Sequence, residues 1–264
     1  MPTAIVPALA ATTSRIALAD PVFISDLHLS SDSPRTLAAF VAFARTVAAK
    51  HAELLILGDL FEYWTGDDDD DDAARAVTDA LAALNSDGRR VFVMHGNRDL
   101  LLGADFCAAT GATLLADPTL AEVAGHRVLL SHGDAWCTQD VAYQQFRAQV
   151  RNPEWQRSFL AQDLQARRDF VGRVRVASES AKQAKDAEIM DVTPAEIDAA
   201  FVSHAVERVI HGHTHRPATH RHRVAGVARE RWVLPDWDFD RAGAPRGGYL
   251  RVESGGFVVA AVAP

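Results

Sequence analysis

The chain has 264 residues, 48% of them hydrophobic and 23% charged, with a formal net charge of −8 and a pI near 5.7. That length and composition suit a soluble globular protein of one large domain, or one domain carrying an insertion. The acidic balance counts against a general nucleic-acid binder. Cys107 and Cys137 form no disulfide framework, so a reducing compartment is the default, and no apolar run is long enough to span a membrane.

The first twenty residues are apolar but lack a basic start, and Pro7 interrupts them. They read as a loose extension or an edge strand rather than a cleaved signal. Pro21 to Ser25 reads as a strand with Asp26-Leu27-His28 at its end. Ser33-Pro34 is the expected N-cap and first-turn proline of a helix whose apolar face is Leu37, Phe40, Val41, Ala44 and Val47.

Leu54 to Leu57 is a strand buried on both faces, closed by Gly58 and followed by Asp59. Asp67 to Asp72 is an unbroken acidic run, read as a solvated loop; a calcium site is the other reading, but the EF-hand alternation is missing. Ala73 to Leu84 has helical spacing and stops at Gly88. Val91 to Met94 is a strand ending in His95-Gly96-Asn97-Arg98-Asp99, and Val128 to Ser131 is another ending in His132-Gly133-Asp134. This strand–helix alternation implies an α/β core with a largely parallel sheet.

From Ala135 to Asp191 strand signals vanish, and the segment reads as helix broken near Asn152-Pro153. Between Arg147 and Lys185 nine Lys/Arg face four acids, +5 within a chain of −8. A solvated helical face explains part of that excess; an insertion facing something anionic explains it better. Thr193 to Glu196 has the form of a capping box, Val209-Ile210 is a short strand ending in His211 to His215, and the tail reads as antiparallel strands.

Five apolar strands therefore end in polar side chains: Asp26 and His28, Asp59, Asn97, His132, and His213 with His215. Asp-x-His and His-x-His would set both side chains on one side of an extended backbone. Mixed oxygen and imidazole donors suit Mn, Fe or Zn, and seven groups exceed the needs of one ion. Two ions sharing the Asp59 carboxylate would use them all. His95 and His211 stand beside these motifs as supporting groups, while His51, His126, His204, His220 and His222 read as structural.

DLH at Asp26–His28, GD at Gly58-Asp59, GNRD at Gly96–Asp99, the histidine of HGD and GHTH at Gly212–His215 resemble the calcineurin-like metallophosphoesterases. FISDLHLS, LGDLFEYWTGDD, LSHGDAWCTQD, EIMDV and HGHTHRP are similar to the branch of that family serving lipid A biosynthesis. The resemblance implies an α/β sandwich of two mixed sheets flanked by helices (αββα), one domain over 1–264 with residues 135–191 inserted as a helical lid. It implies two Mn2+ per subunit, one held by Asp26, His28, Asp59 and His215, the other by Asp59, Asn97, His132 and His213. It implies attack of a metal-bridging hydroxide on the α-phosphorus of UDP-2,3-diacylglucosamine, giving UMP and the lipid 1-phosphate. Asp59, Asn97, Arg98 and His213 would be catalytic. Asn97, Arg98, Asp140, Ser178, Lys182, Lys185 and His213 would touch substrate. Lys182 stands where an asparagine is usual, and Pro235 where a glycine is expected, so no site residue is assigned after Trp232.

Many family members carry histidine at the position of Arg98. A departing phosphate monoester, with a second pKa of about 6, needs charge neutralisation more than a proton, so Arg98 suits a diphosphate. Pairing with Asp99 is the plainer explanation of Arg98. Trp155, Phe159, Leu160, Leu164, Phe170 and Val171 either line an apolar groove for acyl chains or pack among themselves. Basic residues near that groove favour peripheral attachment to the cytoplasmic side of the inner membrane, with no nucleic acid and no obligate protein partner. The rival functions are another phosphodiesterase of the same family and a metal-stabilised scaffold without catalysis.

Overall fold

The computed structural model describes residues 15–184, 191–254 and 256–263, the side chains of 177–184 excepted. The chain enters on β1 (Arg15–Leu18) and β2 (Pro21–Ile24). It then alternates α1 (Pro34–Thr46), β3 (Glu53–Leu57), α2 (Asp72–Ser86), β4 (Arg90–Met94), α3 (Ala104–Thr110) and β5 (Thr113–Leu115). The antiparallel pair β6 (Thr119–Val123) and β7 (His126–Leu130) leads into α4 (Val141–Val150), α5 (Pro153–Leu160) and α6 (Leu164–Ala184). After α7 (Pro194–Ser203) come β8 (Arg208–His211), β9 (Ala218–Val224), β10 (Val227–Val233), β11 (Gly248–Glu253) and β12 (Gly256–Ala261).

The strands form two mixed sheets of six, in the orders β12-β11-β2-β3-β4-β5 and β1-β6-β7-β8-β10-β9. Parallel pairing runs through β2, β3, β4 and β5 in one sheet and through β7, β8 and β10 in the other. Among the described residues β1 is an edge strand, paired only with β6.

Period-two alternation sorts each apolar strand between two cores. Val22 and Ile24, Leu54 and Ile56, and Val91 and Val93 face α1 and α2, where Phe40, Phe43, Val77 and Leu81 are buried. Phe23, Leu55 and Leu57, and Phe92 and Met94 face the second sheet and meet Val128, Leu130 and Ile210. Leu129 and Val209 point outward onto Ile197 and Phe201 of α7. The layers are thus helices, sheet, sheet and helix. Strands buried on both faces have no polar position, which is why they read as unbroken apolar runs.

Four sequence expectations need correction. Ser33 does not cap α1, because its hydroxyl is turned back to Ser30. The amides of Arg35 and Thr36 donate instead to Asp240, 3.1 and 2.8 Å away. Thr193 likewise makes no side-chain cap, its hydroxyl pairing with Thr138. The acidic run is not a solvated loop: Asp67 accepts four N–H groups, Asp71 caps α2, and Asp68 and Asp69 pair with Arg167 and Arg168 of α6. Finally, much of what the basic helices face is the chain itself, since Arg147 and Arg151 also pair with Asp134. The pairings of Asp240 with α1 and of Asp68 and Asp69 with α6 join positions far apart in sequence, beyond the reach of local patterns. The break at Asn152 is as expected, its Oδ1 accepting from Glu154 and Trp155.

Asp240→Ala should cost about 0.5–2 kcal/mol, read as a lower urea midpoint at unchanged slope, while Ser33→Ala leaves the α1 amides served.

Candidate metal centre and its surroundings

The strands β2, β3, β4, β7 and β8 stop at a common edge, the carboxyl ends where open α/β sheets place ligands. Backbone bonds stitch their loops together: Asp26 donates to Gly58, Leu27 and His28 to Asp59, and Gly212 to His132. The loops are not extended, as the sequence reading supposed. Asp26, His28, Asp59, His213 and His215 have φ of +56, +50, +52, +68 and +53°. Left-handed backbone at non-glycine residues costs of order 1–3 kcal/mol each and persists where the surroundings impose it. The alternation survives in another form, since Leu27 is fully buried while Asp26 and His28 turn into the site.

Glycines make the close approach possible. A Cβ on Gly96 would lie 2.0 Å from Asp59 Oδ1, and one on Gly212 would lie 2.0 Å from Ser25 Oγ and 2.2 Å from Asp26 Oδ2. The glycines of the GN and GH motifs are therefore space for carboxylates.

The seven groups converge. Asp26, His28 and His215 form one set of donors within 4.8 Å of one another, and Asp26, Asp59 and His132 another. Asp59 Oδ2 faces His28 Nε2 and Asp59 Oδ1 faces His132 Nε2, each at 3.8 Å. His28 and His215 bring their Nε2 atoms to 3.1 Å. Asn97 Oδ1 lies 3.1 Å from His132 Nε2 and 2.9 Å from His213 Nδ1. Two buried carboxylates and a ring of imidazoles turned inward make a divalent cation site. The electrostatics agree. Burial opposes charge on His132, yet Asp59, Asp134 and Asp26 push it up to about 9. Burial, then the neighbouring His132, holds His213 down to about 4. A bound cation would supply the positive charge that Asp26 and Asp59 otherwise draw from a protonated imidazole, and would release that proton.

Several supporting residues were not legible beforehand. Glu62 Oε2 lies 3.1 Å from His28 Nδ1, leaving Nε2 to face Asp59, the usual carboxylate support of a ligating imidazole. Glu62 Oε1 lies 3.5 Å from both Arg98 Nη1 and Arg175 Nε. Asp99 does not pair with Arg98; its oxygens accept from the amides of Leu60 and Gly96. Asp236 Oδ2 reaches to 3.4 Å from His215 Nδ1, so the tail after Trp232 does serve the site. Buried Asp134 accepts from Tyr143, at 2.7 Å, and from Arg147 and Arg151, while Arg151 also donates to Gly96 O. His211 accepts from Arg231 and pairs with Gly212 O, and His95 bonds Leu102 O, so each braces a loop. The available signal was a polar residue inside an apolar motif, as Glu62 is in LFEYW.

Arg98 and Asn97 open onto a cleft. Tyr63, Trp64, Leu100 and Leu101 form one wall, and Trp155, Phe159, Phe170 and Val171 the other. The aromatics of that second wall also pack together, with Trp155 stacked on Phe159 at 5.0 Å and Phe159 edge-on to Phe170 at 5.3 Å. Trp155, Phe159 and Phe170 thus line the cleft and pack on one another at once. Leu160 is 42% exposed, and neither it nor Leu164 lines the cleft. Asp140 caps α4 through Tyr143 N, one turn from the Tyr143 ring that lies 5.8 Å from His213. Ser178 and Lys182 lie on α6, but their side chains, and all of Lys185, fall outside the described residues.

Gly96→Ala should displace Asp59 while the cores stay packed. The expected result is a folded protein with reduced metal content and about 100-fold lower turnover, measured by metal analysis beside circular dichroism.

Comparison with known proteins agrees with this geometry. Residues 21–217 match the model of the calcineurin-like phosphoesterase family. A UDP-2,3-diacylglucosamine hydrolase of Bordetella parapertussis is 45% identical over 246 residues, covering 92% of this chain and 95% of its own. The proteins of that name from Aromatoleum aromaticum and Ralstonia nicotianae are 48% and 46% identical, over 90% and 94% of this chain and 95% of each relative. The chain belongs to the calcineurin-like phosphoesterases, within the family of the UDP-2,3-diacylglucosamine hydrolases.

Proposed function

We propose that the protein hydrolyses the diphosphate of UDP-2,3-diacylglucosamine, releasing UMP and 2,3-diacylglucosamine 1-phosphate, at a centre that holds two Mn2+ ions. One ion is assigned to Asp26, His28, Asp59 and His215, the other to Asp59, Asn97, His132 and His213. The supporting observation is Asp59, whose two oxygens face different imidazoles beside a cleft that is polar at its mouth and apolar within. Bound there, the cations supply Lewis acidity and a water acidified to near neutrality.

The chain's own residues do the rest. Glu62 and Asp236 hold the rings of His28 and His215 in orientation. Asn97, its carbonyl oxygen turned to His132 and His213, has its NH2 to offer a phosphoryl oxygen. Arg98 neutralises charge on the diphosphate, and its partner Glu62 keeps it at the cleft mouth until substrate takes it. Neutral His213 turns Nδ1 to Asn97 Oδ1, which leaves its other ring nitrogen to hold a cation beside the reacting phosphorus. Asp140, Ser178, Lys182 and Lys185 are assigned to the nucleotide and sugar by resemblance.

The three helices α4–α6 act as a lid over residues 135–191, and the acyl chains enter the cleft beneath it. Among the described residues no helix is long and apolar enough to cross a membrane. Val176, 68% exposed, and Leu160 project from the lid beside the exposed Arg157 and Arg173. Exposed apolar and basic side chains on the lid suit peripheral docking on the anionic cytoplasmic leaflet of the inner membrane.

Purified protein given UDP-2,3-diacylglucosamine and Mn2+ should release UMP, stop on chelation and resume on adding Mn2+. Arg98→His should lose about 100-fold in kcat/KM on this substrate. Turnover indifferent to chelation, or cleavage of bis-p-nitrophenyl phosphate without UMP release, would overturn the reading.

A further inference from the structure

The acidic run touches none of the seven clustered groups, yet it grips both walls of the apolar cleft. Asp67 Oδ1 accepts the indole N–H of Trp64 at 3.0 Å and Gly103 N at 2.9 Å. Its Oδ2 accepts Asp105 N and Phe106 N, which locks the grip to the start of α3. Trp64 belongs to the core-side wall.

Asp68 and Asp69 hold the lid. Both terminal nitrogens of Arg167 donate to Asp68, the first at 2.7 Å, and that nitrogen also donates to Thr65 O at 2.8 Å. Arg168 pairs with Asp69 through Nε and Nη2. The Arg167 side chain is only 3% exposed, so it cannot swing into water without leaving its packed place. A two-pronged Arg–carboxylate pair fixes angle as well as distance. Arg167 stands three and four residues before Phe170 and Val171 on α6, so the three share a helix face. Phe170 and Val171 belong to the lid-side wall. Other ties of the lid, Arg175 to Glu62 and Arg147 and Arg151 to Asp134, run to residues beside the seven groups; these two do not.

We propose that Asp67, Asp68 and Asp69, acting through Trp64, Arg167 and Arg168, set the spacing of the cleft walls and thereby select acyl-chain length. They are positioning residues, and the inference rests on the cleft being where the acyl chains go. A fitted wall is worth about a fourfold factor in affinity per methylene buried, so a wall that shifts erases discrimination between lengths.

The test uses the full chain with Mn2+ and a series of UDP-2,3-diacylglucosamines differing only in acyl length, with kcat and KM measured for each. Asp68→Ala should raise KM about tenfold at the preferred length and flatten the length profile, with kcat changed less than about threefold. The exchange Asp68→Arg with Arg167→Asp should restore the preference, which a merely structural role would not require. Should Asp68→Ala unfold, Arg168→Gln, at an arginine more exposed than Arg167, should still broaden the profile. A profile left as sharp as the parent's in folded variants, or an equal fall in kcat at every length with KM unmoved, would overturn the inference. A parent inactive on every chain length would instead sink the substrate reading, and this inference with it.

Discussion

Two carboxylates with almost no access to water, Asp26 and Asp59, stand at the ends of neighbouring parallel strands, and their charge must be balanced in place. The second sheet supplies part of the balance through His132 after β7, and brings His213 and His215 after β8 to the same place. That is why both sheets contribute: one sheet edge could not surround Asp59. It also explains the left-handed loops, which turn side chains across the gap between sheets instead of along a strand.

Around this core of charge the structure uses acids for two distinct tasks. Glu62, Asp134 and Asp236 orient the groups that face substrate or cation. Asp67 to Asp69 and Asp71 fasten elements to each other. The net charge of −8 and the local excess of arginines in the helices before α7 are thus two halves of one arrangement, since among the described residues Arg147, Arg151, Arg167, Arg168 and Arg175 all answer aspartates elsewhere in the chain. Such pairs are worth little when exposed, but Arg167 and Asp134 are buried, and breaking either would strand a charge.

The fold and the seven clustered residues were legible because their signals are local. A strand buried on both faces must be apolar throughout, and the Gly58 before Asp59 leaves room for Gly96, whose Cα would lie 2.7 Å from a Cβ there. Asp240 as the cap of α1, Asp68 as the partner of Arg167, and Asp236 behind His215 were not legible, because each spans a long stretch of chain. Between Asp99 and Arg127, α3, β5 and β6 also escaped notice; they are short and lack clean periodicity. Glu62 was visible but unassigned, one acid among apolar neighbours. Its position three residues after Asp59 was the clue, since a buried carboxylate among imidazoles needs those rings oriented.

The sharpest test of a shared carboxylate at the heart of the molecule is a crystal structure with Mn2+, read from its anomalous difference density. Two peaks about 3.5–4 Å apart, one beside each oxygen of Asp59, are expected. A single peak, or peaks away from Asp59, would contradict the assignment of the centre.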